Sequence, residues 1–239
     1  MVNNSSSSVP WLRLTVETIA IIASILIAFA IDAWWQGQLE EDQEHQILVS
    51  LKDEFEIHRA TLMEKEADWT KRGDSMERLL NALQTGESPS PAVMDTLLDD
   101  FSYPGTWDPG SGARDALIAS GHLELIDNLA LRNHLSAWQG RVDEVRDNEQ
   151  AARDMVLNTI NPFLAERVPM DRLLATTPGS WPVDVTSDAE AAPAYCALVA
   201  DPTFKNYARI RYVWLNLGEY RKAIVFADSI LMAIDSELE

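Results

Sequence analysis

Leu48, Phe55, Leu62, Trp69, Met76 and Leu83 recur at an unbroken spacing of seven. Residues seven apart return to the same face of a helix after two turns. The spacing therefore predicts a helix from about Leu39 to Gln84 with one apolar seam. Its companion positions are mixed: Leu51 and Leu79 are apolar, whereas His58, Lys65 and Arg72 are not. The middle of this helix is thus expected to be half exposed, with His58 on the seam. Gly86, Pro89 and Pro91 mark a loop, and a short helix follows from about Ala92 to Phe101.

Two further seams lie downstream. Leu131, Trp138, Val145 and Ala152 repeat by sevens, as do Leu135, Val142, Val156 and Phe163, with Glu149 the one exception. They predict a long helix starting near Asp127 and breaking around Pro162 to Pro169. The prolines from Pro169 to Pro202 predict loop with one short helix. Asp201 before Pro202 is a good N-cap and first-turn pair for a last helix. On it, Ile210, Leu217, Ile224, Leu231 and Leu238 share one heptad position, and Val213, Tyr220, Ala227 and Ile234 another. Seams on three long helices must be buried against each other. No alternating β-branched run flanked by hairpin turns occurs. The expected fold is all-α, an antiparallel helical bundle with left-handed packing.

Between the first two long helices, residues 103–112 are rich in turn formers and exclude regular helix. Ser111 is positioned to cap a short helix from about Gly112 to Ser120, with Gly121 ending it and Asp127 or Asn128 capping the next. Ala116, Leu117, Leu123, Leu125, Ile126, Leu129 and Leu131 would form a compact apolar cluster there. This stretch reads as a structural corner, or as a binding loop made with the neighbouring turn.

A different pattern fills the N-terminal region. Residues 1–10 read as a disordered tail. From Thr18 to Ile31, fourteen consecutive residues carry no formal charge. Extended to Leu12 and Trp34, the segment spans about 34 Å as a helix, enough for a hydrocarbon core of about 30 Å. Trp11, Trp34 and Trp35 suit the two membrane interfaces. Residues 11–35 are therefore expected to cross a membrane, with Gly37 interrupting the helix and a helical extramembrane domain occupying residues 36–239. Arg13 on the near side and Glu40, Glu41, Asp42 and Glu44 beyond place the N-terminus in the cytoplasm. A cleavable signal peptide is the competing reading, since Ala28-Phe29-Ala30 resembles a small-x-small site.

Glu17 and Asp32 bracket the apolar run about 22 Å apart. Ala20, Ser24, Ala28 and Asp32 form an i+4 ridge, and Glu17 falls within it. Small and polar residues on one face let two helix backbones approach closely. Either this face packs against another helix, from a second copy or a different membrane protein, or both acids snorkel to head groups and the ridge is incidental.

The membrane segment TVETIAIIASILIAFAIDAWW and the stretch ARDALIASGHLELIDNLALRNHLSAW, from Ala113 to Trp138, resemble an uncharacterised family of bacterial single-pass membrane proteins with helical extramembrane domains. The resemblance implies a bacterial inner-membrane location with the domain in the periplasm. It implies no activity, substrate or catalytic residue. Alanine and serine stand at small positions where the family has glycine.

Charge narrows the partners. The net charge is -19, and beyond Trp35 the chain holds 18 basic and 36 acidic residues. Such a surface is repelled by phosphate backbones, which argues against nucleic acid. One cysteine, Cys196, forms no internal disulfide and is expected to be small and partly buried. The histidines His45, His58, His122 and His134 show no metal-binding spacing, so no metal is expected. Nucleotide and hydrolase motifs are missing, so no cofactor and no catalytic residue is expected. Asp108 to Asp115 alternates acids and glycines without the final Glu of a calcium loop, and turn chemistry explains it better. Arg209, Arg211 and Arg221 with Tyr207, Tyr212, Trp214 and Tyr220 read as packing with snorkelling arginines, or as an anion or aromatic site. The expected function is a non-enzymatic, membrane-anchored interaction or assembly module. A ligand-sensing helical domain relaying through a membrane partner is the alternative.

Overall fold

The structure, a computed structural model, describes residues 11–110, 112–176, 184–215 and 217–239. The tail through Pro10, Ser111, residues 177–183, Asn216, and the side chains of Trp11, Leu12, Arg13, Leu14, Thr176 and Leu217 lie outside what is described. Among the described residues every regular element is helical. The longest, α1 (Trp11–Thr85), runs 75 residues without interruption. Gly37 does not break it. The space where a Cβ would sit is empty, and one glycine costs a helix only about 1 kcal/mol against its long flanks. The first part of α1 is apolar and long enough to cross a membrane, and none of that stretch is buried against the rest of the chain.

Farther along, α1 behaves as its seam requires. Leu48, Leu51, Phe55, Leu62, Trp69, Met76, Leu79 and Leu83 are all buried, and so is His58. A short α2 (Pro91–Phe101) starts on its proline and buries Met94, Leu97, Leu98 and Phe101. The next helix, α3 (Ala113–Ser120), ends at Gly121, whose φ of 75° is the left-handed conformation that favours glycine. After a 3-10 turn at His122–Leu125, Asn128 caps α4 (Leu129–Met155) by accepting the Leu131 N–H. In this corner Leu117, Ile126 and Leu131 are buried. Leu129 is not, at 63% exposure, because the first turn of α4 points it to solvent.

Pro162 does not end the fourth helix. A π turn at Val156–Ile160 leads directly into α5 (Asn161–Ala165). The wide turn inserts one residue, so the buried face steps from Val156 to Ile160 and Leu164 and leaves Phe163 half-buried. Proline, with no N–H to place, sits where the chain changes register. The proline-rich stretch also holds more helix than its composition predicts. It contains α6 (Met170–Thr176) and α7 (Asp188–Ala200). Pro193 lies within α7 on its exposed side, where water can serve the carbonyl left without a donor. A capping box between Ser187 and Glu190 starts that helix.

The last helix is two helices. Asp201 caps α8 (Pro202–Val213) by accepting the N–H groups of Thr203 and Phe204. The chain turns at Trp214 and Leu215 and resumes as α9 (Leu217–Leu238). This break re-sets the face. Ile210 and Val213 are exposed at 47% and 77%, whereas Tyr220, Ala223, Ala227, Ile230 and Ile234 are buried at alternating steps of three and four. The turn lets Leu215 bury where a straight helix would have buried Val213.

The core is a single cluster to which all three long helices contribute. Both α1 and α4 pack along α9. Ion pairs edge the first contact: Lys52 with Asp235 at 2.6 Å, Arg59 with Asp228 at 2.5 Å, and Glu66 with Arg221 at 2.6 Å. Each step of seven along α1 is matched by seven in the opposite sense along α9.

Candidate functional site

The polar companion positions of α1 meet a loop rather than a helix. Residues 102–110 and Gly112 lie along α1 as a strap, and His58 and Arg72 each hold part of it. The Arg72 guanidinium sits 3.5 Å over the Tyr103 ring and donates to Asp100 at 2.6 Å. Trp107 donates its indole N–H to the Thr61 hydroxyl at 3.1 Å. The Gly110 carbonyl accepts from His58 Nε2 at 3.3 Å. Glu54 accepts the Arg114 N–H at 2.8 Å just past the strap. At Gly112 a Cβ would come within 2.9 Å of the Glu54 carboxylate carbon, so only glycine passes there undisturbed.

Other elements clamp the strap from its far side. The Glu149 carboxylate of α4 accepts the Trp107 N–H at 2.7 Å. It also accepts from the Tyr220 hydroxyl of α9, which in turn accepts the Trp69 indole N–H at 3.0 Å. Burial pushes the Glu149 carboxyl above its ordinary value despite these donors. Arg211 of α8 is fully buried and donates to the carbonyls of Tyr103 at 2.9 Å and Phe101 at 3.3 Å. Burial, with Arg72 nearby, pulls its guanidinium down to about 10. Arg211 therefore does not snorkel. Among the other members of its aromatic–basic stretch, Tyr220 is buried, while Tyr212 and Trp214 stay exposed.

Where strap, α1, α3 and α4 converge, they leave a polar pocket of about 360 Å³. Glu54 and His58 form one wall, one helical turn apart on α1. Arg114 and Asp115 come from α3, Trp138, Gln139, Val142 and Arg146 from α4, and Asp108 to Gly110 from the strap. The turn and the corner that follow one another in sequence thus share one cavity. His58 is the most constrained member. Its ring stacks on Trp138 with centroids 5.7 Å apart, and Phe55 and Trp107 meet it edge-on. Burial holds the imidazole below its ordinary 6.5, against the pull of Glu54 and the Gly110 carbonyl. A carbonyl only accepts, so Nε2 carries the hydrogen and Nδ1 is a bare lone pair. That Nδ1 is buried and has no hydrogen-bond partner among the described residues. Arg114 is buried and committed, donating to the Leu135 carbonyl at 2.8 Å and to Asp115 at 2.5 Å.

The intramembrane candidates fall elsewhere. Glu17, Ala20, Ser24, Ala28 and Asp32 all lie on the exposed part of α1, on one face of its unbroken helix. Ser24 donates its hydroxyl to the Ala20 carbonyl at 2.8 Å. Cys196 is free and exposed rather than partly buried, because α7 turns its face outward. No group of three or more His, Cys, Asp or Glu arranged to hold a metal occurs among the described residues. Sequence spacing missed Glu54 and Arg114. His58 on the seam of α1 and the lapse of Glu149 from its heptad were the visible signs of buried polar groups.

No protein-family model matches the chain, and neither do the curated proteins or the solved structures.

Proposed function

We propose that this chain is a membrane-anchored helical interaction or assembly module, a subunit or accessory of a larger membrane complex and not an enzyme. One observation carries the reading: α1 is exposed along its whole apolar stretch, yet continues without a joint into the core of the domain. Ile19, Ile21, Ile22, Ile25, Leu26, Ile27 and Phe29 are each about half exposed or more. Apolar surface of that kind is stabilised by transfer out of water at about 25 cal/mol per Å². A bilayer supplies such a phase. On this reading residues 11–35 cross a bacterial inner membrane once, with the N-terminus cytoplasmic and residues 36–239 periplasmic. The resemblance to bacterial single-pass proteins belongs to the same proposal. The seven-residue ladder between α1 and α9 supports an antiparallel bundle behind the anchor.

The ridge of Glu17, Ala20, Ser24, Ala28 and Asp32 is the face that meets another membrane helix, a second copy or a different protein. Ser24→Leu in the full chain tests it. Solubilised in mild detergent, the variant is expected to lose the assembly that the unaltered chain shows. An unchanged assembly and unchanged partner recovery would sink the packing face. Recovery of the protein as a soluble species trimmed of its first thirty or so residues would sink the anchor.

The pocket at His58 favours a second reading, a ligand-sensing domain that relays through a membrane partner. Its wall is the same rigid helix that carries the apolar stretch, so a ligand pressing on α1 acts on the element that meets the partner.

A further inference from the structure

We propose that the pocket between α1, α3, α4 and the strap binds a small zwitterion of amino-acid size, its ammonium toward Glu54 and His58 and its carboxylate toward Arg146. The proposal rests on the ligand-sensing reading. A cavity of about 360 Å³ falls in the range of small-molecule sites, about 300–1,000 Å³.

The two ends of the pocket differ in what they lack. At the α1 end sit acceptors. Glu54 uses Oε2 for the Arg114 N–H, and its Oε1 lies 3.9 Å from His58 Nε2, too far for a hydrogen bond. His58 Nδ1 is a buried lone pair without a donor among the described residues. That lone pair is closed to a group in the cavity, so Glu54 Oε1 is the acceptor a ligand N–H meets. Burial disfavours the imidazolium, so the ring sets no positive charge against an ammonium. An ammonium brings three N–H donors and a charge that Glu54 opposes.

Arg146 supplies the other end. Its guanidinium is half exposed and only loosely held, at 3.3 Å from Asp143 and 3.7 Å from Asp108. Arg114 is committed elsewhere, so Arg146 is the cation able to turn toward a carboxylate. Glu54, Asp108 and Asp115 outnumber Arg114 and Arg146, so a bare carboxylate is repelled; a simple amine leaves Arg146 unmatched. A zwitterion answers both ends. Trp138 contributes no stacking platform, because His58 covers one side of its ring system and Phe226 stacks on it as well. Recognition thus rests on the polar ends.

Calorimetry on the detergent-solubilised full chain, titrated with the common amino acids, tests the proposal. At least one is expected to bind saturably, and its N-acetyl and carboxamide derivatives about tenfold or more weaker, each having lost one charge-assisted contact. Arg146→Gln is expected to weaken binding by about the same factor. Gln139→Trp, at an exposed position on the pocket wall, is expected to abolish it while the thermal melt stays unchanged. If no amino acid binds, the zwitterion proposal is overturned; the ligand-sensing reading falls only if Gln139→Trp also leaves the full chain's assembly with its membrane partner unchanged. If a carboxamide or N-acetyl derivative binds as well as its parent, sensing survives and the zwitterion class is overturned. Binding that persists in Gln139→Trp overturns the location.

Discussion

Tyr220 donates its hydroxyl to Glu149, a buried hydrogen bond from α9 to α4. The Tyr220 oxygen also receives the Trp69 indole N–H from α1, and Glu149 receives the Trp107 N–H from the strap. Three long helices and the loop that crosses them therefore share one buried chain of hydrogen bonds. Such a chain is strong only while every member is satisfied. Tyr220→Phe leaves the Glu149 carboxylate and the Trp69 N–H short of a partner in a dry site. The expected cost is about 2–3 kcal/mol, read from urea unfolding. Glu149→Gln keeps an acceptor for both donors and is expected to cost clearly less. Equal losses in the two variants would mean that packing, not the polar chain, holds the junction.

His58 makes stability depend on pH. Its imidazole takes up a proton near 6.5 in the unfolded chain but at a lower pH when folded, because burial disfavours the cation. Between those two values the unfolded state binds more protons than the native state, so acidification favours unfolding. Stability is expected to be intact above 6.5 and to fall as pH drops below it. His58→Gln cannot take up a proton and is expected to flatten the decline over that window. A decline of the same size in His58→Gln would assign the effect to another group.

How much of this architecture the sequence disclosed depends on what each residue meets. The seam of α1 was legible because Leu48 through Leu83 face other helices, and helix-on-helix burial repeats by sevens. His58 and Arg72 broke the pattern because the strap lies over that side of α1, and a strap presents carbonyls and rings instead of a row of aliphatic side chains. Glu149 looked like a flaw in a heptad because its partners, Trp107 and Tyr220, are 42 and 71 residues away. Pro193 hid α7, since an exposed proline with its orphaned carbonyl in water is tolerated in a helix that composition alone would reject. The turn at Trp214 and Leu215 was invisible because the same apolar residues fit an unbroken helix equally well. The pocket was hidden too, since its lining comes from three stretches of chain. The turn and corner from Asp108 to Asp115 were open to a binding-loop reading, but nothing in the spacing joined them to Glu54 and His58 or to Trp138 and Arg146.

The α2–α6–α7 side of the molecule depends on a buried ion pair. Asp95 of α2 accepts from Arg172 of α6 at 2.6 Å and from the Tyr195 hydroxyl of α7. Arg172 donates also to the Thr186 carbonyl at 2.5 Å and to Asp188 at 2.7 Å. Asp95→Ala strands a guanidinium that is only 7% exposed, with Asp188 at the rim as its remaining anion. Breaking one partner of a buried pair costs about 3–5 kcal/mol. The variant is expected to lose that much in urea unfolding. Proteolysis should cut first between α6 and α7, where the Thr186 and Asp188 contacts are set by Arg172. A loss below about 1 kcal/mol, the level of an exposed pair, would show that water reaches the cluster.

Gly37 is where the apolar stretch of α1 passes into the domain, and its helicity is what makes α1 a single rigid element. Nothing occupies the space a Cβ would fill, so Gly37→Ala meets no clash. Alanine loses less backbone freedom than glycine on entering a helix, a gain of about 0.8–1.0 kcal/mol. That corresponds to slowing local opening by about fourfold. Hydrogen exchange of the amides of Leu39 to Glu41 is therefore expected to slow by about that factor in Gly37→Ala. Gly37→Pro removes the N–H that bonds one turn back and sets a ring against that turn, at about 3 kcal/mol. Exchange should rise sharply there, while the buried amides around Phe55 and Leu62 keep their protection. If the alanine variant exchanges as fast as the parent chain, the glycine already sits in a joint. The apolar stretch and the domain would then move independently, and a ligand at His58 would have no lever on that stretch.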